Sequence, residues 1–141
     1  MAQTQKPTRQ GYAEIAKLVA GENASKVAKI CGYTGSSVCV AAETSTYTTP
    51  ATNATKATTM GFAMAAANSV VTSTTTVAGD TVEVDHVFTA TGSLNVNGFG
   101  IYNNEATPDV LFMECCFNAV IPCEAGDTIT VEAKMQFKLG S

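Results

Sequence analysis

Thr128-Ile129-Thr130-Val131-Glu132-Ala133-Lys134-Met135-Gln136-Phe137-Lys138 alternates polar and apolar residues without a break. A period of two puts Ile129, Val131, Ala133, Met135 and Phe137 on one face. Thr130, Glu132, Lys134, Gln136 and Lys138 share the other. The pattern predicts an antiparallel strand with one wet face. Ala125-Gly126-Asp127-Thr128 leads into it, and the same four residue types recur earlier as Ala78-Gly79-Asp80-Thr81. In both copies Gly supplies a tight turn with positive φ, and Asp can bind local backbone N–H groups before a strand begins. The earlier copy opens a second alternation, with Val82, Val84, His86, Phe88 and Ala90 opposed to Glu83, Asp85 and Thr89.

Between these strands the pattern changes. Val110, Phe112 and Cys116 oppose Leu111, Met113, Cys115 and Phe117, so this stretch is apolar on both faces. It is expected either at the centre of a sandwich or covered by another subunit. Glu114 interrupts it and reads as a rim charge, or as an ion-pair partner for Lys or Arg on a neighbour. Residues 103–109 (NNEATPD) have the composition of a hairpin loop.

The N-terminal half is less regular. Residues 1–10 are polar, carry Pro7, and read as an extended arm. Tyr12, Ile15, Ala16, Val19 and Ala20 fall on one face of a helix over 11–20, with Gly21 as its stop and Lys17 in its last turn. Residues 43–59 (ETSTYTTPATNATKATT) are low in complexity and predict a long surface loop. Residues 60–71 predict one strand. The expected fold is therefore mainly β: an antiparallel, jelly-roll-like β-sandwich over 11–141 with one short N-terminal helix.

Composition narrows the function. The chain has 141 residues and a formal net charge of -4, and only 14% of its residues are charged. Thr and Ala each occur 21 times, which describes a β-rich surface of low charge suited to being covered by neighbours. No apolar run is long enough for a membrane helix, and Met1 to Lys6 lack the apolar core of a signal peptide. A single Arg and an acidic balance disfavour nucleic acid as a partner.

Five cysteines (31, 39, 115, 116 and 123) lack metal-site spacing, and His86 is the only histidine. They read mainly as small buried apolar residues, with a Cys31–Cys39 bridge or a bond between subunits left open. Cys115 and Cys116, adjacent in a strand, point to opposite faces and do not pair together. Asp85 and His86 likewise point apart, so no nucleophile–base–acid set emerges and no cofactor is expected. Gly92 to Gly100 lacks the spacing of a nucleotide loop.

Residues 81–93 (TVEVDHVFTATGS), 96–103 (VNGFGIYN), 111–114 (LFME) and 125–137 (AGDTITVEAKMQF), in this order, resemble small structural proteins of tailed-phage and provirus head and tail modules. In that group a short helix precedes a β-sandwich containing a Gly-Ile/Leu-Phe/Tyr-Asn element, here Gly100-Ile101-Tyr102-Asn103. The resemblance implies a virion protein that decorates a capsid lattice, with the major capsid protein and copies of itself, such as a trimer, as partners. Lys6, Pro7 and Arg9 on the arm, Tyr47 and Pro50 on the long loop, and Phe112 and Glu114 on the two-faced strand are the expected assembly contacts. The alternatives are a tail fibre, adaptor or tube component, a self-assembling filament, and a carbohydrate-binding sandwich. The absence of Trp and the scatter of Tyr33, Tyr47 and Tyr102 weigh against the last of these.

Overall fold

The computed structural model describes residues 3–22, 24–103 and 110–138. Its elements are β1 (Thr4–Pro7), α1 (Arg9–Ala20), β2 (Val27–Thr34), β3 (Thr55–Lys56), β4 (Ala65–Ala66) and β5 (Ser69–Ser73), followed by β6 (Thr81–Thr89), β7 (Leu94–Asn103), β8 (Leu111–Cys123) and β9 (Thr128–Gln136). A large sheet runs β1-β8-β7-β2-β3, with β4 also paired to β2, and a smaller sheet runs β5-β6-β9. The described pairings are antiparallel, and the fold is mainly β with one short helix, in keeping with a β-sandwich.

The decisive alternation forms as expected. β6 and β9 pair along their whole length, from Thr81 opposite Gln136 to Thr89 opposite Thr128. Val84, Phe88, Val131 and Ala133 enter the core between the sheets, where they meet Ile30, Phe62, Ile101 and Met113. Phe62 stacks on Phe88 with ring centroids 5.0 Å apart. On the outer face Lys134 pairs with Glu83 at 2.9 Å. Both repeated turns place their glycine in the left-handed region, Gly79 at φ 76 and Gly126 at φ 96. Asp80 accepts from the backbone N–H groups of Thr75, Thr76 and Val77. The amide of Gln136, followed by the backbone N–H groups of Thr75 and Val77 and the Thr81 hydroxyl, holds its carboxyl well below the usual carboxylate range.

Two expectations change first. The segment expected as one strand over 60–71 is broken, because Met60 (φ 58) and Gly61 (φ 84) are both left-handed. The chain then passes between the layers. Ala67 donates its N–H to Ala28 in the large sheet, and Asn68 donates its own to Asp85 in the small one. The arm is not free either. Residues 4–7 form an edge strand on β8 of the same chain, with Lys6 opposite Glu114 and Pro7 opposite Met113.

The helix starts at Arg9 because Thr8 caps it. The buried Thr8 hydroxyl accepts from Gly11 N at 2.9 Å and donates to the Leu111 carbonyl. Gly21 ends the helix at φ 72, as its sequence position suggested. The buried face is the surprise. Gly11 and Glu14 face inward, while Tyr12 stays 59% and Val19 84% exposed. A Cβ on Gly11 would lie 2.5 Å from the Phe112 carbonyl oxygen. Backbone therefore meets backbone at this crossing, and the helix's apolar stripe is left turned away from it. The loop expected over 103–109 lies outside the described residues apart from Asn103, whose Oδ1 accepts from Val110 N at 3.1 Å.

Phe137 lies just beyond β9 and is 50% exposed, so it is not the core residue that the alternation suggested. Phe88→Ala is expected to cost about 3–5 kcal/mol, and Phe137→Ala about 1 kcal/mol. Urea unfolding of the two variants checks this difference, and equal losses would mean that Phe137 is packed like the core.

Candidate assembly surface

β8 separates two environments. The register between β7 and β8 shifts between Ile101–Met113 and Tyr102–Leu111, leaving Phe112 as an extra residue. This bulge turns Phe112 towards the same side as Met113, facing the helix and the small sheet. Leu111 and Cys116 belong instead to a second apolar cluster on the outer face of the large sheet.

That outer face is covered by residues 35–54, which run between β2 and β3. The cover contains much of the segment expected as a surface loop. Ser45 and Ala51 are buried within it, and Tyr47 and Pro50 are half-buried. Glu114 is its anchor, completely buried rather than a rim charge. One carboxylate oxygen accepts from Ala51 N at 3.0 Å and the Tyr33 hydroxyl at 3.2 Å, and the other from Ala42 N at 2.9 Å and the Ser45 hydroxyl at 2.6 Å. Among the described residues Glu114 forms no ion pair. Burial, followed by the interaction with Tyr102, raises the Tyr33 phenol far above its ordinary value, so it stays a donor.

Other contacts pin the margin of the cover. Gln10 Oε1 accepts from Leu111 N at 2.8 Å and Tyr47 N at 3.2 Å. Arg9 pairs with Glu43 at 2.6 Å on the exposed rim. The Tyr47 ring meets Tyr102 edge-on and carries the Lys56 ammonium 3.3 Å above its centre. Cys39 is bonded to Cys116, not to Cys31. Cys31, Cys115 and Cys123 are buried free thiols, as most of the cysteines were expected to be.

The other side of β8 packs into the core between the sheets through Met113, Cys115 and Phe117, but its margin is left unfilled. Three adjoining pockets of about 240, 260 and 270 Å3 follow the seam between the β1 edge and β9, then pass beneath α1. Gln5 and Met113 line both the first and the second. Ile15, Phe112, Met135 and Phe137 line both the second and the third. Of the helical stripe, Tyr12 and Ile15 line this groove, joined by Leu18, whereas Ala16, Val19 and Ala20 do not. The structure thus brings Pro7 and Phe112 together in the groove and leaves Lys6 and Arg9 exposed nearby. Tyr47, Pro50 and Glu114 belong to the cover on the opposite side.

Sequence reasoning missed Ile15, Met135 and Phe137 as groove residues because each fitted a core-facing pattern. The signal lay in the helix, whose apolar stripe had no assigned partner. Among the described residues no cluster of three or more His, Cys, Asp or Glu could hold a metal, and no helix is long and apolar enough to cross a membrane. His86 rests edge-on against Phe88 at 4.5 Å, and its Nδ1 is buried without a partner. No family model matches the chain, nor does any curated protein or solved structure.

Two predictions follow from the buried groups. Glu114→Ala strands the Ala42 and Ala51 amides and the Ser45 hydroxyl without their acceptor, so a loss of about 3–5 kcal/mol is expected in urea unfolding. A loss under about 1 kcal/mol would mean that water reaches these donors. Desolvation holds the His86 imidazole below its ordinary 6.5, opposed by a hydrogen bond to the Ala66 backbone. The unfolded chain therefore binds the proton more readily, and stability falls as pH drops from 6.5 through the lower folded value. His86→Asn should flatten that part of the stability–pH curve.

Proposed function

We propose that this chain is a virion structural protein that decorates the outer surface of a tailed-virus capsid and stabilises the lattice, without catalytic activity. The observation that carries this reading is the open groove, where Tyr12, Ile15 and Leu18 of α1, Phe112, Met135 and Phe137 face a space that the chain itself does not fill. Exposed apolar surface gathered in one groove is characteristic of an interaction site. The resemblance of residues 11–20 and about 78–138 to phage and provirus structural proteins suggests the partner, the major capsid protein, together with further copies of this chain. The disulfide agrees with a particle that meets an oxidising exterior, since such bonds persist on virion surfaces and are rare in reducing cytosol.

On this reading a protruding capsid segment enters the groove beside β1, and Lys6 and Pro7 on the exposed edge border it. Apolar area buried there contributes roughly 25 cal/mol per Å2 and staples adjacent shell subunits. Thr8 and Gln10 belong to the fold, so removing the whole arm would damage the chain itself. The sharper variant is Tyr12→Asp with Phe137→Asp, both at exposed positions. Purified particles are expected to hold the chain at a simple ratio to the shell protein, and the double variant should fall at least tenfold in occupancy while keeping its melting temperature within a few degrees. A few copies per particle would assign it to the tail, and absence from particles would overturn the viral reading.

A further inference from the structure

We infer that residues 35–54 are a redox-gated cover, closed over the outer face of the large sheet by the Cys39–Cys116 disulfide and able to open as a unit when that bond is reduced. The inference concerns the side of β8 away from the groove and does not depend on the capsid reading.

The argument begins with what holds the cover down. Apart from the half-buried Tyr47, its inward apolar side chains are small: Cys39, Ala41 and Ala51 are buried. Burying one ring in part, two alanines and a cysteine offsets only part of the conformational entropy lost by ordering so many irregular residues. Among the described residues its inner ladder contact is the isolated bridge between Val40 and Thr52. Beyond the contacts of Gln10, Arg9 and Tyr47 at its margin, closure rests on three specific points.

Two are polar. Asn97 donates to the carbonyls of Ser37 at 3.0 Å and Asn53 at 2.9 Å, gripping both ends of the segment. Glu114 takes three of its four hydrogen bonds from Ala42, Ser45 and Ala51, in the middle of it. The third point is covalent. Cys116 lies two residues from Glu114 on β8, and its bond reaches Cys39, three residues before Ala42. Sulfur bond and carboxylate thus hold neighbouring parts of one segment onto neighbouring parts of one strand.

The Glu114 site is complete only while Ala42, Ser45 and Ala51 stay seated. Loss of the tether lets them move, and hydration of the exposed carboxylate then favours the open form. The bonds that build the two sheets do not run through the cover, so they survive its release. Low-stability segments of this kind open locally beneath the threshold for global unfolding.

The redox step is a thiol–disulfide exchange. A dithiol reductant gives two electrons and two protons, the S–S bond breaks to leave thiols on Cys39 and Cys116, and the reductant leaves as its own disulfide. The same chain therefore has two states set by compartment: cover open where thiols are kept reduced, and cover closed where they are oxidised.

The positions of the cysteines provide an internal control. Cys116 lies beneath the cover and Cys39 within it, the Cys31 thiol is held against the Ala57 and Phe62 carbonyls outside the cover, and Cys115 and Cys123 lie in the core between the sheets. Burial pushes the Cys31 thiol up to about 11. The test treats the intact chain with a dithiol reductant and then with a thiol-alkylating reagent under native conditions, reading each cysteine by peptide mass spectrometry. Cys39 and Cys116 are expected to label together, at least tenfold faster than Cys115 and Cys123.

In Cys39→Ser with Cys116→Ser, amides of residues 37–54 should exchange at least tenfold faster than in the oxidised chain, while those of β6 and β9 stay unchanged. Labelling of all five thiols at one rate after reduction would mean that the molecule opens only as a whole. Unchanged exchange of amides 37–54 in the double variant would mean that the cover stays shut without its disulfide. Either result overturns the inference.

Discussion

A carboxylate buried in the middle of a strand dictates much of this molecule. Glu114 has no exposed surface and no cation among its partners, so its oxygens must be met by donors fixed in place. One donor comes from the sheet, and three come from a segment that has little other reason to be ordered. The cover thus exists as structure because Glu114 needs it, and its presence turns the outer face of β2, β7 and β8 into interior. β8 can then be apolar on both sides, between the small sheet and the cover. Gln10 extends the arrangement by binding β8 and the cover with one oxygen, tying the start of the helix to both.

The opposite side of β8 is held by different means. The helix is fixed at its start by the Thr8 cap and along its body by close approach of Gly11 to the Phe112 backbone. Neither contact uses the helix's large apolar residues, which leaves Tyr12, Ile15 and Leu18 facing the groove. The sheet edges beside it are guarded. Pro7 lacks an N–H to offer a new strand, and Lys6, Glu132 and Lys134 put charge along the β1 and β9 margins. The groove is therefore poorly suited to strand addition and better suited to receiving side chains.

The sandwich was legible because its deciding strands carry a period of two that survives in the fold. Ile129 to Met135 and Val82 to Ala90 pack as their alternation implies, and the two Gly-Asp turns form at the expected positions. The two-faced pattern of Val110 to Phe117 announced burial on both sides but not what supplied it. Glu114 looked like a surface charge because its donors are mostly backbone N–H groups of distant residues, which no side-chain pattern encodes. Cys39 and Cys116 are separated by 77 residues, and only the folding of the cover brings them together. The helical stripe misled for the same reason: periodicity identifies a face but not whether the chain provides something to lie against it.

Charge decides what kind of contact the groove side can make. Lys26, Glu132 and Lys134 line it and Arg9 lies nearby; Lys134 and Arg9 are already paired within the chain, with Glu83 and Glu43. A partner that sought either of these two would first have to displace a carboxylate, and exposed pairs of this kind contribute little in any case. On the proposed reading, recognition along the seam comes mainly from apolar area and fit, with Tyr12 and Phe137 as the half-exposed aromatic anchors. Contacts of that kind weaken little with salt, whereas an electrostatic attachment would be screened. The two sides of β8 thus differ: on one a buried carboxylate and a disulfide secure the fold, and on the other a largely apolar cleft, with charges at Lys26, Glu132 and Lys134, stays unfilled by the chain.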